Sequence, residues 1–142
     1  MSIYFVETNV AEQRALLCSW AERLFVEGRK VQIVVGSTPA AHYIDEMLWA
    51  FSQSSFVPHA IFSPEVPRVE PVLIVFDERR IEGFDALLCD SPVSLDFMVL
   101  FETAVHFVLR DDDEKRRESR LLWQKARDMG LNPIHVPYVR PV

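Results

Sequence analysis

Two five-residue runs, Val31–Val35 (VQIVV) and Val72–Phe76 (VLIVF), constrain this chain more than any other feature. A strand with one wet face alternates apolar and polar residues, whereas one that is apolar almost throughout is covered on both faces. Cover on both faces means a sheet sandwiched between helices, and such sheets are largely parallel. Residues 3–6 (IYFV) read as an earlier strand. Between these strands lie helical patterns. Leu17, Trp20, Ala21, Leu24 and Phe25 repeat at helical spacing, and Gly28 follows as a C′ residue. Asn9, with Glu12 three residues on, has the form of a capping box. Ser37 or Thr38 can cap the helix after the second strand, with Pro39 in its first turn. The opening is therefore β-α-β-α, as in a doubly wound α/β protein.

From residue 56 to 71 the chain carries Pro58, Pro64, Pro67 and Pro71 and no helical period. A short strand near 60–62 and then an exposed loop fit this stretch. Residues 84–89 (FDALLC) read as a further short strand. Periodicity alone does not decide 97–109; the reading taken is a turn or short helix near 95–101, then a strand at 105–108. The acidic residues 111–114 open a final helix reaching Met129, with Gly130 at C′ and Pro133 beyond. Residues 134–138 fit a short edge strand. The fold class expected is a single α/β domain over residues 1–142: a mostly parallel, twisted central sheet flanked by helices, Rossmann-like but without a phosphate loop.

The chain has 142 residues, 49% hydrophobic and 25% charged, with a formal net charge of -6. That length carries one core. The acidic balance opposes non-specific binding to nucleic acid. Cys18 and Cys89 sit in apolar surroundings with no CxxC pair, as reduced, buried thiols would. The N-terminus lacks a signal-peptide pattern, and no run approaches the roughly 18 apolar residues of a membrane span. A cytoplasmic location is expected.

Signatures of chemistry are sparse. The turn Gly36, Ser37 and Thr38 stands where a nucleotide-binding α/β protein holds phosphate, and a small nucleotide-binding enzyme or sensor using that turn is the rival reading. The turn lacks a lysine and a second glycine. His42, His59, His106 and His135 show no ligand spacing, so no metal is expected; His106 reads as a hydrogen-bonded strand residue, and His59 as a partner contact or a loop-fixing residue. Asp45 and Glu46 read as solvated, and no cofactor or catalytic residue is assigned.

Two surfaces stand out. In residues 43–51 (YIDEMLWAF), Tyr43, Ile44, Met47, Leu48 and Phe51 form one helical face and Trp49 points away from it. With Phe56, Val57 and Pro58 close by, this corner reads as a docking patch. In the last helix, Arg120 and Arg127 lie roughly 40° and 20° from Arg116 on the wheel, and Trp123 roughly 20° on the other side. Leu122, Ala126 and Met129 face the core, with Ser119 at the edge. Two readings fit the stripe. One is a solvated charged face using i,i+4 pairs with Glu114, Glu118 and Asp128. The other is a cradle for an acidic peptide ending in an apolar side chain, with guanidiniums forking onto carboxylates beside an indole.

The run Ile44, Asp45, Glu46, Met47, Leu48, Trp49, followed by Ser55, Phe56, Val57, Pro58, His59, resembles the LDExLW…FxPH pattern of the chi subunit family of bacterial DNA polymerase III holoenzyme. The last helix, with Arg120, Trp123, Arg127, Gly130 and Asn132, resembles that family's C-terminal helix. The resemblance implies a non-catalytic accessory subunit. Such a subunit bridges the acidic C-terminal tail of single-stranded DNA-binding protein, which ends in proline and phenylalanine, to the clamp loader through a psi subunit or an equivalent component. It also implies tail-binding roles for Val108, Arg116, Arg120 and Trp123, and a psi-facing role for Trp49 and Phe56; the helical stripe adds Arg127 to the first set, and the docking patch adds Val57 and Pro58 to the second. Neither direct nucleic-acid contact nor a membrane is implied. Trp123 stands where the family commonly has tyrosine, and Gln124 where a lysine often sits. Residues 134–142 do not match closely, and no role is carried over to them.

Overall fold

The computed structural model describes residues 1–50, 56–65 and 69–140; Phe51, Ser55 and Pro67 of the sequence reading lie outside them. The elements in chain order are β1 (Ser2–Thr8), a 3-10 turn (Val10–Glu12), α1 (Gln13–Val26), β2 (Val31–Val35), α2 (Thr38–Ala50), β3 (His59–Ile61), β4 (Val72–Phe76), β5 (Ala86–Cys89), α3 (Leu95–Met98), β6 (Thr103–Leu109), α4 (Asp113–Asp128) and β7 (Ile134–Val136). The seven strands form one sheet in the order β3-β4-β2-β5-β6-β1-β7, and every pairing is parallel. The expected α/β class and the tail's edge strand are both present.

The two apolar runs sit where their composition requires. β2 and β4 are neighbours, paired from Val31 with Val72 to Val35 with Phe76. Side chains alternate between faces. Val31, Ile33 and Val35 pack with α1 and α2 residues such as Leu17, Ala21 and Ile44. Val34 turns the other way and packs with Leu95, Phe97 and Met98 of α3 and Ala126 of α4. The β3–β4 end of this second face has no helix; Phe84 and Ile81 cover Leu73 and Val75 there. Gln32, also on that face, is fully buried: its Nε2 donates to the Arg79 carbonyl at 2.8 Å and its Oε1 accepts from the Ile81 amide at 2.7 Å.

Helix ends follow their local chemistry. α1 and α4 both close with a glycine at positive φ, Gly28 (81°) and Gly130 (80°), where a side chain would be strained. In each, the next amide bonds back into the last turn, Arg29 to the Leu24 carbonyl and Leu131 to that of Ala126. Ser37 caps α2, accepting from the Ala40 amide, and Asp112 caps α4, accepting from the Lys115 amide.

Three local expectations give way to tertiary contacts. The capping box at Asn9 and Glu12 does not form; both side chains bind Tyr138 instead. Tyr43 is exposed, with the Arg14 guanidinium 5.2 Å over its ring, because α2 buries Ala40, Ala41, Ile44 and Leu48 against the sheet instead. Met129 is 49% exposed: α4 ends one residue before it. Gln32→Ala is expected to lower stability by about 1–3 kcal/mol, because it strands the Ile81 amide and the Arg79 carbonyl; urea denaturation at pH 7 measures it.

Candidate functional site

The carboxyl ends of β6, β1 and β7 build the floor of a groove, and α4 builds its wall. The strand register pairs Phe5 with His106 and His135, and Glu7 with Val108. Because faces alternate, Phe5, Glu7, His106 and Val108 all turn toward the α4 side. Ser119 Oγ lies 2.8 Å from His106 Nε2, which ties α4 to the floor. Trp123 is half-buried and meets Phe5 edge-on, with ring centroids 5.1 Å apart. It is thus a wall, with one part in the core and one part on the groove. The cavity is about 560 Å³ and is lined by Phe5, Val108, Arg116, Arg120 and Trp123, among others.

Four of the five tail-binding residues expected from sequence therefore meet in one place. Arg127 does not line this cavity. It lies seven residues beyond Arg120, about 10 Å further along the helix axis at 1.5 Å per residue. Gln124 hydrogen-bonds Asp128 at 2.9 Å and does not line the cavity either. Among the described residues, the one ion pair within α4 joins Lys115 and Glu118 at 3.7 Å. Arg116 and Arg120 have no carboxylate partner there, so the alternative of a solvated face laced by i,i+4 pairs does not describe them. The sequence reading missed Glu7, Asn9, Arg110, Asp111 and His135 in the lining. Their common signal is position at or just past the carboxyl ends of adjacent parallel strands, which needs the strand order to be known.

The second surface lies at the other edge of the sheet. Trp49 is 60% exposed and Phe56 63%, with centroids 5.5 Å apart. The His59 ring lies 4.7 Å from Trp49, beneath it in the core; its Nδ1 is 2.7 Å from the Val57 carbonyl and its Nε2 3.2 Å from Asp45 Oδ1. His59 thus fixes the loop, and Asp45 is engaged rather than freely solvated. Trp49, Phe56 and Pro58 line a shallow hollow beside β3. Val57 is 3% exposed and packs in the core with Ile44 and Leu48. Its side chain is therefore off the docking surface, a correction to the sequence reading.

The turn at Gly36 ends β2 beside β5, at the crevice where α/β folds bind ligands. Ser37 Oγ is occupied in capping α2, and a cavity of about 520 Å³ here is lined by Asp90, whose carboxylate forks onto Arg14 at 3.0 and 3.2 Å. The charges lining this cavity are mixed, Arg14 and Lys115 with Asp90 and Glu118. Burial, with Asp90 second, pushes the Cys18 thiol up to about 12, and burial likewise raises Cys89; neither is poised as a nucleophile. Among the described residues no three of His, Cys, Asp and Glu are grouped to hold a metal ion, and no helix is long and apolar enough to cross a membrane.

Fold and surfaces together define a class: a Rossmann-like α/β protein with an arginine-rimmed groove at one edge of its sheet and an exposed aromatic patch at the other. The family model described as DNA polymerase III chi subunit, HolC, matches residues 1–133. The chain is 33% identical over 119 residues to the DNA polymerase III subunit chi of Escherichia coli (strain K12), covering 82% of this chain and 80% of that protein. It is 29% identical over 118 residues to the DNA polymerase III subunit chi of Haemophilus influenzae, covering 82% and 81%. The chain belongs to the DNA polymerase III chi subunit family, a family of DNA replication subunits.

His106 gives the site an acid sensitivity. Burial lowers its pKa from 6.5 to about 4. Above pH 6.5 both native and unfolded chains hold it neutral; as pH falls from there toward about 4, only the unfolded chain takes the proton, and stability is lost. The slope for one group is at most about 1.4 kcal/mol per pH unit. Replacing it by His106→Gln, which retains a hydrogen-bonding side chain for Ser119, is expected to narrow the stability difference between pH 7 and pH 5 by about 1–2 kcal/mol. Chemical denaturation of both proteins at the two pH values measures this.

Proposed function

We propose that this chain is a non-catalytic, cytoplasmic bridge between single-stranded DNA-binding protein and the clamp loader of DNA polymerase III. The groove takes the acidic, phenylalanine-ended C-terminal tail of the first. The Trp49 face takes a psi subunit or an equivalent clamp-loader component. One observation carries the proposal: Arg116 and Arg120 form no ion pair among the described residues and line one cavity with Val108 and Trp123. Paired guanidiniums beside an apolar wall match carboxylates next to a terminal aromatic ring. Family membership supports the same reading.

The two surfaces lie at opposite ends of the strand order, β3 at one edge and β7 at the other. Six spacings of about 4.8 Å set them roughly 29 Å apart, so both partners fit at once. Exposed arginine–carboxylate contacts are screened by salt, so tail affinity should be modest and fall with ionic strength.

Arg120→Ala is expected to weaken a synthetic tail peptide about tenfold while leaving the fold intact. Calorimetric titration of both proteins checks it, and equal affinities would remove the groove from the mechanism. Trp49→Ala is expected to lose the clamp-loader-side partner and keep the peptide, since a large exposed aromatic ring is a typical binding anchor. Co-purification of that partner at normal yield with the variant would count against the docking face.

A further inference from the structure

The C-terminal segment fastens itself to the groove. β7 pairs with β1 and brings His135 Nε2 to 3.0 Å from Glu7 Oε1. The chain then runs on to Tyr138, past the last residue of the family match. Tyr138 is held at three points. Its amide donates to Glu7 Oε2 at 3.4 Å, its hydroxyl donates to Glu12 Oε1 at 3.0 Å, and the hydroxyl oxygen of Tyr138 accepts from Asn9 Nδ2 at 3.3 Å. Over its ring, 4.2 Å from the centroid, lies the guanidinium of Arg110.

Arg110 is the first residue after β6, and its amide is anchored to the Thr8 carbonyl at 2.9 Å. Its side chain lines the groove with Arg116 and Arg120. No carboxylate among the described residues pairs with its guanidinium. We propose that Arg110 is a further guanidinium of the groove, binding a carboxylate of the acidic peptide, and that Tyr138 is the positioning residue that holds it there.

Three physical points carry this. A guanidinium stacked on an aromatic face keeps its in-plane N–H donors free to fork onto a carboxylate. An arginine already immobilised loses less rotamer freedom on binding than a free one. The same strap also occupies Glu7, through His135 and the Tyr138 amide, in a cavity where a bare carboxylate would repel an acidic ligand.

The proposal rests on the tail-binding function above, and the experiment separates the two. A peptide of several aspartates ending in proline and phenylalanine is titrated calorimetrically, at low salt, into the full chain and its Arg110→Ala, Tyr138→Ala, Tyr138→Phe, Arg110→Ala/Tyr138→Ala and Arg120→Ala variants. Arg110→Ala is expected to weaken binding roughly three- to tenfold, and Tyr138→Ala by most of that factor. The double variant should be no weaker than Arg110→Ala alone, since residues acting as one unit are non-additive. Tyr138→Phe, which keeps the ring beneath the guanidinium, should stay within about twofold of the parent. Unchanged affinity in Arg110→Ala, with Arg120→Ala weakened, overturns this proposal alone. Multiplicative losses in the double variant, or a Tyr138→Phe as weak as Tyr138→Ala, overturn the positioning role. Unchanged affinity in both Arg120→Ala and Arg110→Ala overturns the tail-binding function itself.

Discussion

The groove depends on one long strand pairing. β1 and β6 run side by side over seven residues, Ser2 with Thr103 through Thr8 with Leu109. Because side chains alternate, that register decides what faces α4. At the lower level Phe5 stands beside His106, one level up Glu7 stands beside Val108, and beyond the strand ends come Asn9 and Arg110. The floor thus grades from aromatic, through mixed, to charged. A shift of one residue would turn Val6 and Phe107 toward α4 and carry Glu7 and Val108 into the core beneath α1. The chemistry of the groove follows from the register, and the register from the demand that both faces be apolar in the middle.

α4 is fitted to that gradient. Its sequence is strongly polar, and Ser119 and Ala126 are its only residues buried among those described. Both are small, so the helix lies close to the sheet without a thick apolar layer. Trp123 supplies the one large ring, and it lies against Phe5 rather than sinking past it. A helix so lightly buried is held by specific contacts, the Asp112 cap, the His106–Ser119 hydrogen bond and the Gly130 closure. Among the described residues, no carboxylate is paired with Arg116 or Arg120.

Much of this was legible in the chain. The strands at Val31–Val35 and Val72–Phe76 were set by composition, and the helix ends at Gly28 and Gly130 by the need for positive φ. Trp49 pointing outward and the sharing of one site by Arg116, Arg120 and Trp123 followed from helical geometry alone. What failed were local rules overruled by distant residues. Asn9 and Glu12 have the spacing of a capping box, yet Tyr138, more than 120 residues away, takes both side chains. Val57 sits in an aromatic, proline-rich stretch that looks exposed throughout, but it faces the core beside Leu48. Arg127 shares the wheel angle of Arg116, but a wheel discards the rise along the axis. Glu7, Arg110 and His135 were invisible because their juxtaposition is a matter of strand order, which periodicity does not encode.

Strand order also explains why one small domain can offer two independent surfaces. Chain-adjacent strands do not all sit side by side: β2 lies between β4 and β5, and β1 has moved out beyond β6. The first half of the chain therefore contributes to both edges, with β1 and its partners at one and α2 with β3 at the other. The middle of the sheet, where β2 meets β5, carries the Arg14–Asp90 pair at its carboxyl end, and Gly36 packs so near Ser91 that an added Cβ would come within 3.1 Å of its hydroxyl oxygen. The fold's usual ligand crevice is thereby lined by the protein's own ion pair, while its two outer edges carry the exposed aromatic and guanidinium groups. An α/β sheet so arranged carries its exposed aromatic and guanidinium groups at the ends of the strand order, which is the geometry the proposed connector role requires.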